Sequence, residues 1–85
     1  MYTDIEKAIL DKLLLHGYVS RKHTPEDNIP KGFPKHMYEE VRKALKNLVR
    51  EGLVLQHPTA HGMDVALNKE RTSEIKEILG VDWWN

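Results

Sequence analysis

Several features that would reveal a function directly are missing from this 85-residue sequence. It contains no cysteine, which excludes disulfides and thiolate metal sites and is compatible with a reducing cytoplasm. Its apolar runs, such as residues 13–15, are far shorter than the roughly 20 residues that a membrane span needs. The first ten residues lack the basic leader and apolar core of a secretion signal. These absences predict a soluble, non-secreted, cytoplasmic protein that does not bind a membrane.

Catalytic motifs are missing as well. The sequence has no phosphate-cradling glycine loop, nucleophile elbow or spaced carboxylate pair, so we expect neither an enzyme nor a cofactor. Two histidines lie four residues apart, but that spacing converges on a metal when it lies on a helix, and here it crosses a turn that contains proline. We therefore expect hydrogen-bonding histidines and no metal site. The residues considered as zinc ligands are His23, Asp27, His36, His57 and His61.

The sequence also lacks an excess of charge of either sign. Thirteen Lys and Arg balance thirteen Asp and Glu, whereas a dedicated DNA-binding domain is usually basic. The distribution is uneven, however, because residues 16–62 hold eight bases, five acids and all five histidines. The flanking segments are acidic. The sequence therefore predicts a polarised surface with one face basic enough to meet phosphate.

The chain is long enough for one hydrophobic core, so residues 1–85 are predicted to form a single domain. Thr3 and Glu6 have the spacing of a capping box, which predicts a first helix over residues 4–16 ended by Gly17. Its apolar stripe is wide and includes Ala8 and Leu14. Packing in the core is the expected role of this stripe, and contact with a second copy is the alternative.

A short strand is predicted next, at residues 18 and 19. Thr24, followed by proline and two acids, has the pattern of a helix start, and Pro30 should end that helix after about one and a half turns. Residues 30–35 contain two prolines and a glycine, which predicts a stiff connection rather than a three- or four-residue helix-turn-helix turn. Phe33 is expected to pack into the core from this connection.

The third predicted helix covers residues 36–51 and carries the principal functional prediction. Its apolar residues recur every three or four positions, which leaves an opposite face rich in bases. Such a face fits the major groove of DNA, with Asn47 as a reader of a base edge. The alternative is a solvated surface of ion pairs such as Glu39 with Lys43, and Glu40 adds a second acid at the end that would approach DNA. The predicted DNA-contacting bases are Arg42, Lys43, Lys46 and Arg50, flanked by Arg21, Lys22 and Lys35.

After Gly52, two alternating segments predict a β-hairpin with a five-residue turn at residues 58–62. This hairpin, the wing of the predicted fold, contains no Arg or Lys. Only His57, Thr59 and His61 are available to meet phosphate. A last helix is predicted to begin at Asn68 or Thr72 and to end near residue 80.

The tail contains Trp83 and Trp84, which are expected either to fold back on the first helix or to bind a partner. The run VRKALKNLVREGLV and its exit into a hairpin resemble the winged helix-turn-helix superfamily. HTPEDNIPKGFPKH and PTAHGMDVALN resemble a group of small archaeal winged-helix proteins. The resemblance implies an α+β winged helix: a three-helix core, a hairpin wing and an additional C-terminal helix.

That resemblance also implies an archaeal, cytoplasmic DNA-binding module that serves as a transcription regulator or a chromosome-associated protein. Winged helices are also protein-docking and RNA-binding modules, so an interaction module within a larger complex is the alternative. In that case the wing or the Trp83/Trp84 tail would make the contact. A homodimer or protein partner would use the first helix or the two tryptophans.

Overall fold

The structure, a computed structural model, describes residues 1–80. Within this range it is an α+β fold, in which four helices and two 3-10 turns accompany a three-stranded antiparallel sheet of order β1-β3-β2. The tail that carries Trp83 and Trp84 lies outside the described residues. The elements are α1 (Asp4–Leu15), β1 (Thr24–Pro25), α2 (Asn28–Lys31), a 3-10 turn (Lys35–Met37), α3 (Tyr38–Arg50), β2 (Val54–Thr59), β3 (Gly62–Leu67), a 3-10 turn (Lys69–Arg71) and α4 (Thr72–Leu79).

Helix α1 begins with the predicted capping box. The backbone N–H of Glu6 donates to Thr3 Oγ1 at 3.1 Å, and the backbone N–H of Thr3 donates to Glu6 Oε1 at 2.8 Å. The inner face of the helix buries Ile9, Leu10 and Leu13. The apolar stripe is narrower than predicted, since Ala8 is exposed.

The segment between α1 and α3 differs from the prediction. Thr24 pairs with Val65 in the sheet instead of capping a helix, and residue 19 makes only an isolated bridge to Leu67. The sheet takes Thr24 because β3 offers free backbone groups on that side and the pairing buries the threonine, which is 5% exposed. Helix α2 therefore starts later, and Pro30 lies inside it. Proline is tolerated there because the N–H groups of a first helical turn have no intrahelical partner.

Helix α3 begins two residues later than predicted. The chain first makes a 3-10 turn, in which the Met37 N–H donates to the Pro34 carbonyl at 2.9 Å. Gly52 follows the helix with a φ of +81°, a conformation that favours glycine. The predicted apolar face is confirmed as the inner one. It buries Val41, Ala44, Leu45 and Leu48.

The hairpin is tighter than predicted. Strands β2 and β3 pair from Val54 with Leu67 to Thr59 with Gly62, so two residues form the turn instead of five. Pro58 lies within β2, which is possible because β2 is an edge strand and a missing N–H costs little there. Gly62 has a φ of +140°, which a residue with a side chain rarely adopts.

The sheet and the helices enclose one core. Directly opposed residues of antiparallel strands share a face, so Val54, Val65 and Leu67 lie on the core side, together with the buried residues of α1 and α3. Helix α4 closes the core with Ile75, which is fully buried. Asn68 accepts a hydrogen bond from the Glu70 N–H at the preceding 3-10 turn, and Thr72 is the first residue of α4.

Candidate nucleic-acid interface

The outer face of α3 presents the bases predicted from sequence. Arg42, Lys43, Lys46 and Arg50 are all exposed, because the apolar positions of the helix face the core. Within residues 1–80, none of these four side chains has a carboxylate within ion-pair distance, and the alternative pairing of Glu39 with Lys43 is not formed. The face therefore carries cationic groups that are open to an external anion.

Acids lie near both ends of this basic face. Glu39 and Glu40 are exposed in the first turn of α3, where they suit the positive end of the helix dipole. Glu51 follows its last turn. Arg42 lies over the Tyr38 ring, with its guanidinium carbon 5.8 Å from the ring centroid. The basic character of α3 is consequently strongest in its second half.

A groove of about 310 Å³ runs beside α3. Its lining combines Arg42 and Lys46 of α3 with Glu26 and Asp27 from the segment before α2. Gln56 of β2 also lines the groove and donates a hydrogen bond to Glu26 Oε1 at 3.0 Å. Its remaining lining is apolar: Pro30, Leu45 and Val49. The acids lower the positive potential on this side of α3.

Asn47 has a structural contact that its sequence position did not reveal. Its side-chain amide donates to Glu6 Oε2 at 2.5 Å and so joins α3 to α1. Glu6 is only 4% exposed. Burial acts to raise the pKa of this carboxyl, but the hydrogen bonds from the Thr3 backbone, the Asn47 amide and the Thr3 side chain outweigh it, so the pKa is lowered. This bond directs the Asn47 side chain toward α1, so its role as a reader of a base edge stays a prediction and is not among the principal contacts.

The three flanking bases lie on different parts of the surface. Lys35 is exposed in the 3-10 turn directly before α3 and adjoins the basic face. Arg21 and Lys22 are exposed in the loop before β1, where they line a separate groove with Lys69. Only Lys35 therefore extends the α3 surface along the chain.

On the hairpin, two of the three predicted contact residues take part in internal contacts. The His57 ring stacks on His23 at a centroid distance of 4.9 Å, and His23 Nδ1 lies 2.6 Å from Asp64 Oδ2. Thr59 Oγ1 donates to the Gly62 carbonyl at 3.0 Å and so helps to close the turn. The side chain of His61 is exposed at the tip.

We call His23, His57 and Asp64 the outer-face cluster, because the register places them on the sheet face opposite the core. Sequence reasoning missed this cluster. A five-residue turn would have paired position 57 with 63, whereas the structure pairs His57 with Asp64. A one-residue slip transfers every side chain of a strand to the other face. Recognising the two-residue turn would have placed His57 opposite Asp64, whereas the position of His23 depends on the pairing of β1 with β3.

The outer-face cluster is not arranged as a metal site. Its two imidazole rings lie nearly parallel, with an interplanar angle of 20°, so their nitrogens do not converge on one point. His57 Nε2 is buried without a hydrogen-bond partner in the described part of the chain. Across residues 1–80, no three side chains of the His, Cys, Asp or Glu type gather around a point where an ion would fit.

Comparison of the chain with protein-family models, with curated proteins and with solved structures gave no match. Over residues 1–80, none of the helices combines the length and apolar character that crossing a membrane requires. Function therefore has to be inferred from the chemistry of the surface, and the outer face of α3 is its most distinctive part.

Proposed function

We propose that this chain is a winged-helix module that binds duplex DNA, with α3 lying in the major groove and the β2–β3 hairpin as the wing. The element order and the three-stranded sheet are compatible with that fold. The single observation that carries the proposal is the outer face of α3. There, four exposed bases stand without ion-pair partners among residues 1–80.

The dimensions of this face suit DNA. Arg42 and Arg50 are eight positions apart, which places them roughly 12 Å apart along the helix axis at the standard rise. The major groove is about 12 Å wide, which matches the helix diameter of about 10–12 Å with side chains included. Arg42, Lys46 and Arg50 follow one another at four-residue intervals, so they form a nearly straight row on the helix surface. Such a row can reach phosphates along one groove edge.

The acidic residues near α3 indicate which of its bases should make the principal phosphate contacts. Glu26 and Asp27 line the groove together with Arg42 and Lys46, and Glu39 and Glu40 occupy the first turn of α3. Negative charge there opposes the approach of phosphate to the beginning of the helix. We therefore assign the principal phosphate contacts to Lys46 and Arg50, with Arg42, Lys43 and Lys35 in support. A module of this kind would act in transcription regulation or as a chromosome-associated protein.

A protein partner is the second candidate. The groove beside α3 combines an apolar lining of Pro30, Leu45 and Val49 with side chains of both charge signs. A peptide that carries both charge signs would match these side chains, whereas DNA would be repelled by Glu26 and Asp27. DNA binding and peptide binding should therefore respond differently to the removal of Glu26 and Asp27.

Salt-dependent binding to random duplex DNA tests the proposal. Three or four phosphate contacts predict a slope of about −3 to −4 for log affinity against log salt. Replacing Lys46 and Arg50 together by Ala should make the slope shallower by about 2 and weaken binding at every sequence tested. Replacing Glu26 and Asp27 by Gln and Asn should strengthen DNA binding, because it removes the opposing charges.

The matched control replaces Lys7 and Lys69, which are exposed and lie outside α3, by Ala. It changes the net charge by the same amount and should leave affinity nearly unaltered. An absence of binding at low salt, or an equal loss in the Lys7/Lys69 control, would overturn the DNA proposal.

A further inference from the structure

We propose that a small cleft between α1, α2 and the loop before β1 binds a single phosphate group. The cleft has a volume of about 160 Å³ and lies apart from the α3 face. Its walls combine hydrogen-bond donors with an apolar base, and no carboxylate is among the described residues that line it. The lining residues are Lys12, Leu13, His16, Tyr18, Thr24, Asn28 and Ile29.

Two neutral donors are fixed within the cleft. Thr24 is held by its pairing in β1, and its Oγ1 accepts a hydrogen bond from the Asn28 side-chain amide at 3.3 Å. Because this oxygen acts as an acceptor, the hydroxyl proton of Thr24 remains for another acceptor, as does the second amide proton of Asn28. Phosphate oxygens are acceptors only, so they complement this pair.

Lys12 supplies the charge. Its Nζ lies 5.9 Å from the centroid of the Phe33 ring, and among residues 1–80 it has no ion-pair partner. The side chain passes over Gly32, where an added Cβ would lie only 1.6 Å from Nζ. The missing side chain at position 32 therefore makes room for the ammonium.

The rim of the cleft is aromatic and basic. The rings of His16 and Tyr18 lie with centroids 6.0 Å apart, and Lys22 Nζ lies 5.6 Å from the centroid of the Tyr18 ring. A phosphate in the cleft would meet the Lys12 ammonium and the His16 imidazole, while Lys22 would add positive potential from the rim. Charge-assisted hydrogen bonds of this kind are the strong ones in phosphate recognition.

The size of the cleft limits the ligand. Its volume of about 160 Å³ leaves room for a phosphate group. The phosphorylated end of a ligand would enter, and the group that bears it would remain outside, against Tyr18. Both a phosphorylated small molecule and a nucleic-acid backbone present this chemistry.

NMR titration of the full chain with inorganic phosphate tests the site, with sodium chloride at equal ionic strength as the reference. We expect saturable shifts of the His16, Thr24 and Asn28 signals. Gly32→Ala is the first variant, because the φ of −80° at this position accepts alanine and the new Cβ would move the flexible end of Lys12 from its place beside position 32. It should weaken phosphate binding about tenfold, in line with the loss of one charge-assisted hydrogen bond.

Lys12→Gln is the second variant and should have the same effect if Gly32→Ala impairs folding. Lys7→Ala, on the same helix but outside the cleft, is the matched control and should bind phosphate as the wild type does. Shifts spread evenly over exposed lysines, or unchanged binding in both Gly32→Ala and Lys12→Gln, would overturn the proposal.

Two further titrations distinguish the source of the phosphate. Glycerol phosphate should shift only the cleft signals if the ligand is a small molecule. Duplex DNA should shift the cleft signals as well, in competition with phosphate, if the backbone is the ligand. The cleft lies apart from α3. A failure of phosphate binding in the cleft can therefore be distinguished from a failure of DNA binding through Lys46 and Arg50.

Discussion

Helix α3 and the β2–β3 hairpin each place one face on the core, but their outer faces differ in chemistry. The outer face of α3 consists of charged side chains whose bases have no ion-pair partner among residues 1–80. The hairpin has no Arg or Lys, and its outer-face polar groups His57 and Asp64 contact His23 beside β1. Cationic groups without partners are open to a ligand, whereas the outer-face polar groups of the hairpin are occupied by contacts with one another and with His23.

The position of each element explains the difference. The backbone groups of a helix are already hydrogen-bonded within the helix, so its exposed charged side chains are not needed to satisfy them. The outer face of a three-stranded sheet instead brings side chains of neighbouring strands within about 5 Å of one another. Pairing of β1 beside β3 brings His23 next to Asp64, and the stacked His57 completes the contact.

The largest effect on stability is expected for a side chain that α3 buries in the core, compared with one on the outer face of the hairpin. Leu48 on the inner face of α3 is fully buried, whereas Leu55 on β2 is 38% exposed. Leu48→Ala should lower the free energy of unfolding by about 2–5 kcal/mol, because it leaves a cavity. Leu55→Ala should cost less than about 1 kcal/mol, as is usual for surface changes. Urea denaturation of both variants measures the change in the free energy of unfolding. Equal changes would show that the outer face of the hairpin is packed like a core.

An intermediate effect is expected at the contact between α3 and α1. Asn47→Ala removes the amide that donates to the buried Glu6 carboxylate, which should cost about 1–3 kcal/mol at neutral pH. Lys43→Ala, at a neighbouring exposed position, is the control and should change stability little. A loss no greater than that of Lys43→Ala would mean that Asn47 is free for another role, such as reading a base.

The same contact has a defined pH dependence. The pKa of Glu6 is lowered in the folded protein from an ordinary value of 4.5. Its stabilising contribution is therefore fully present above that ordinary value and is lost as the pH falls through the lower, folded-state pKa. The difference in stability between wild type and Asn47→Ala should shrink in acid. Denaturation curves at pH 7 and at pH 3 measure it, and a difference that grew in acid would contradict the assignment.

The smallest effects are expected in the outer-face cluster. Asp64→Ala removes the carboxylate that lies 2.6 Å from His23 Nδ1, and because His23 is partly exposed the cost should be only about 1 kcal/mol. His57→Phe keeps a ring stacked on His23 and removes the buried Nε2 that has no partner within residues 1–80. It should be neutral or slightly stabilising. Thermal denaturation measures both, and a large loss in His57→Phe would indicate that the nitrogen has a function.

Features that depend on neighbouring residues in the chain were predicted well. The capping box at Thr3 and Glu6, the inner face of α3 and the glycine after it all follow from spacings of three or four residues. Helical periodicity acts over one or two turns, so a single sequence contains the whole signal. The exposure of the α3 bases follows from the same periodicity, whereas their contact with DNA stays a prediction.

Features that depend on distant residues were predicted poorly. The hairpin turn was placed correctly but was too long by three residues, and the resulting register hid the outer-face cluster. The phosphate cleft was not predicted either, since it joins side chains of α1, β1 and α2. No local sequence pattern around Lys12 or Gly32 indicates that these two residues lie in contact.

By itself the sequence determined helices α1, α3 and α4, the presence of a hairpin and the basic outer face of α3, because periodicity and glycine positions are local properties. The tertiary structure alone decided the roles of Thr24 and Asn47. Thr24 has the local pattern of a helix cap, but the free edge of β3 recruits it into the sheet. Asn47 lies beside the bases of α3, but the buried carboxylate of Glu6 engages its amide. In both cases a hydrogen-bonding group of a distant segment outweighed the local pattern: the strand pairing with β3 for Thr24 and the buried carboxylate of Glu6 for Asn47.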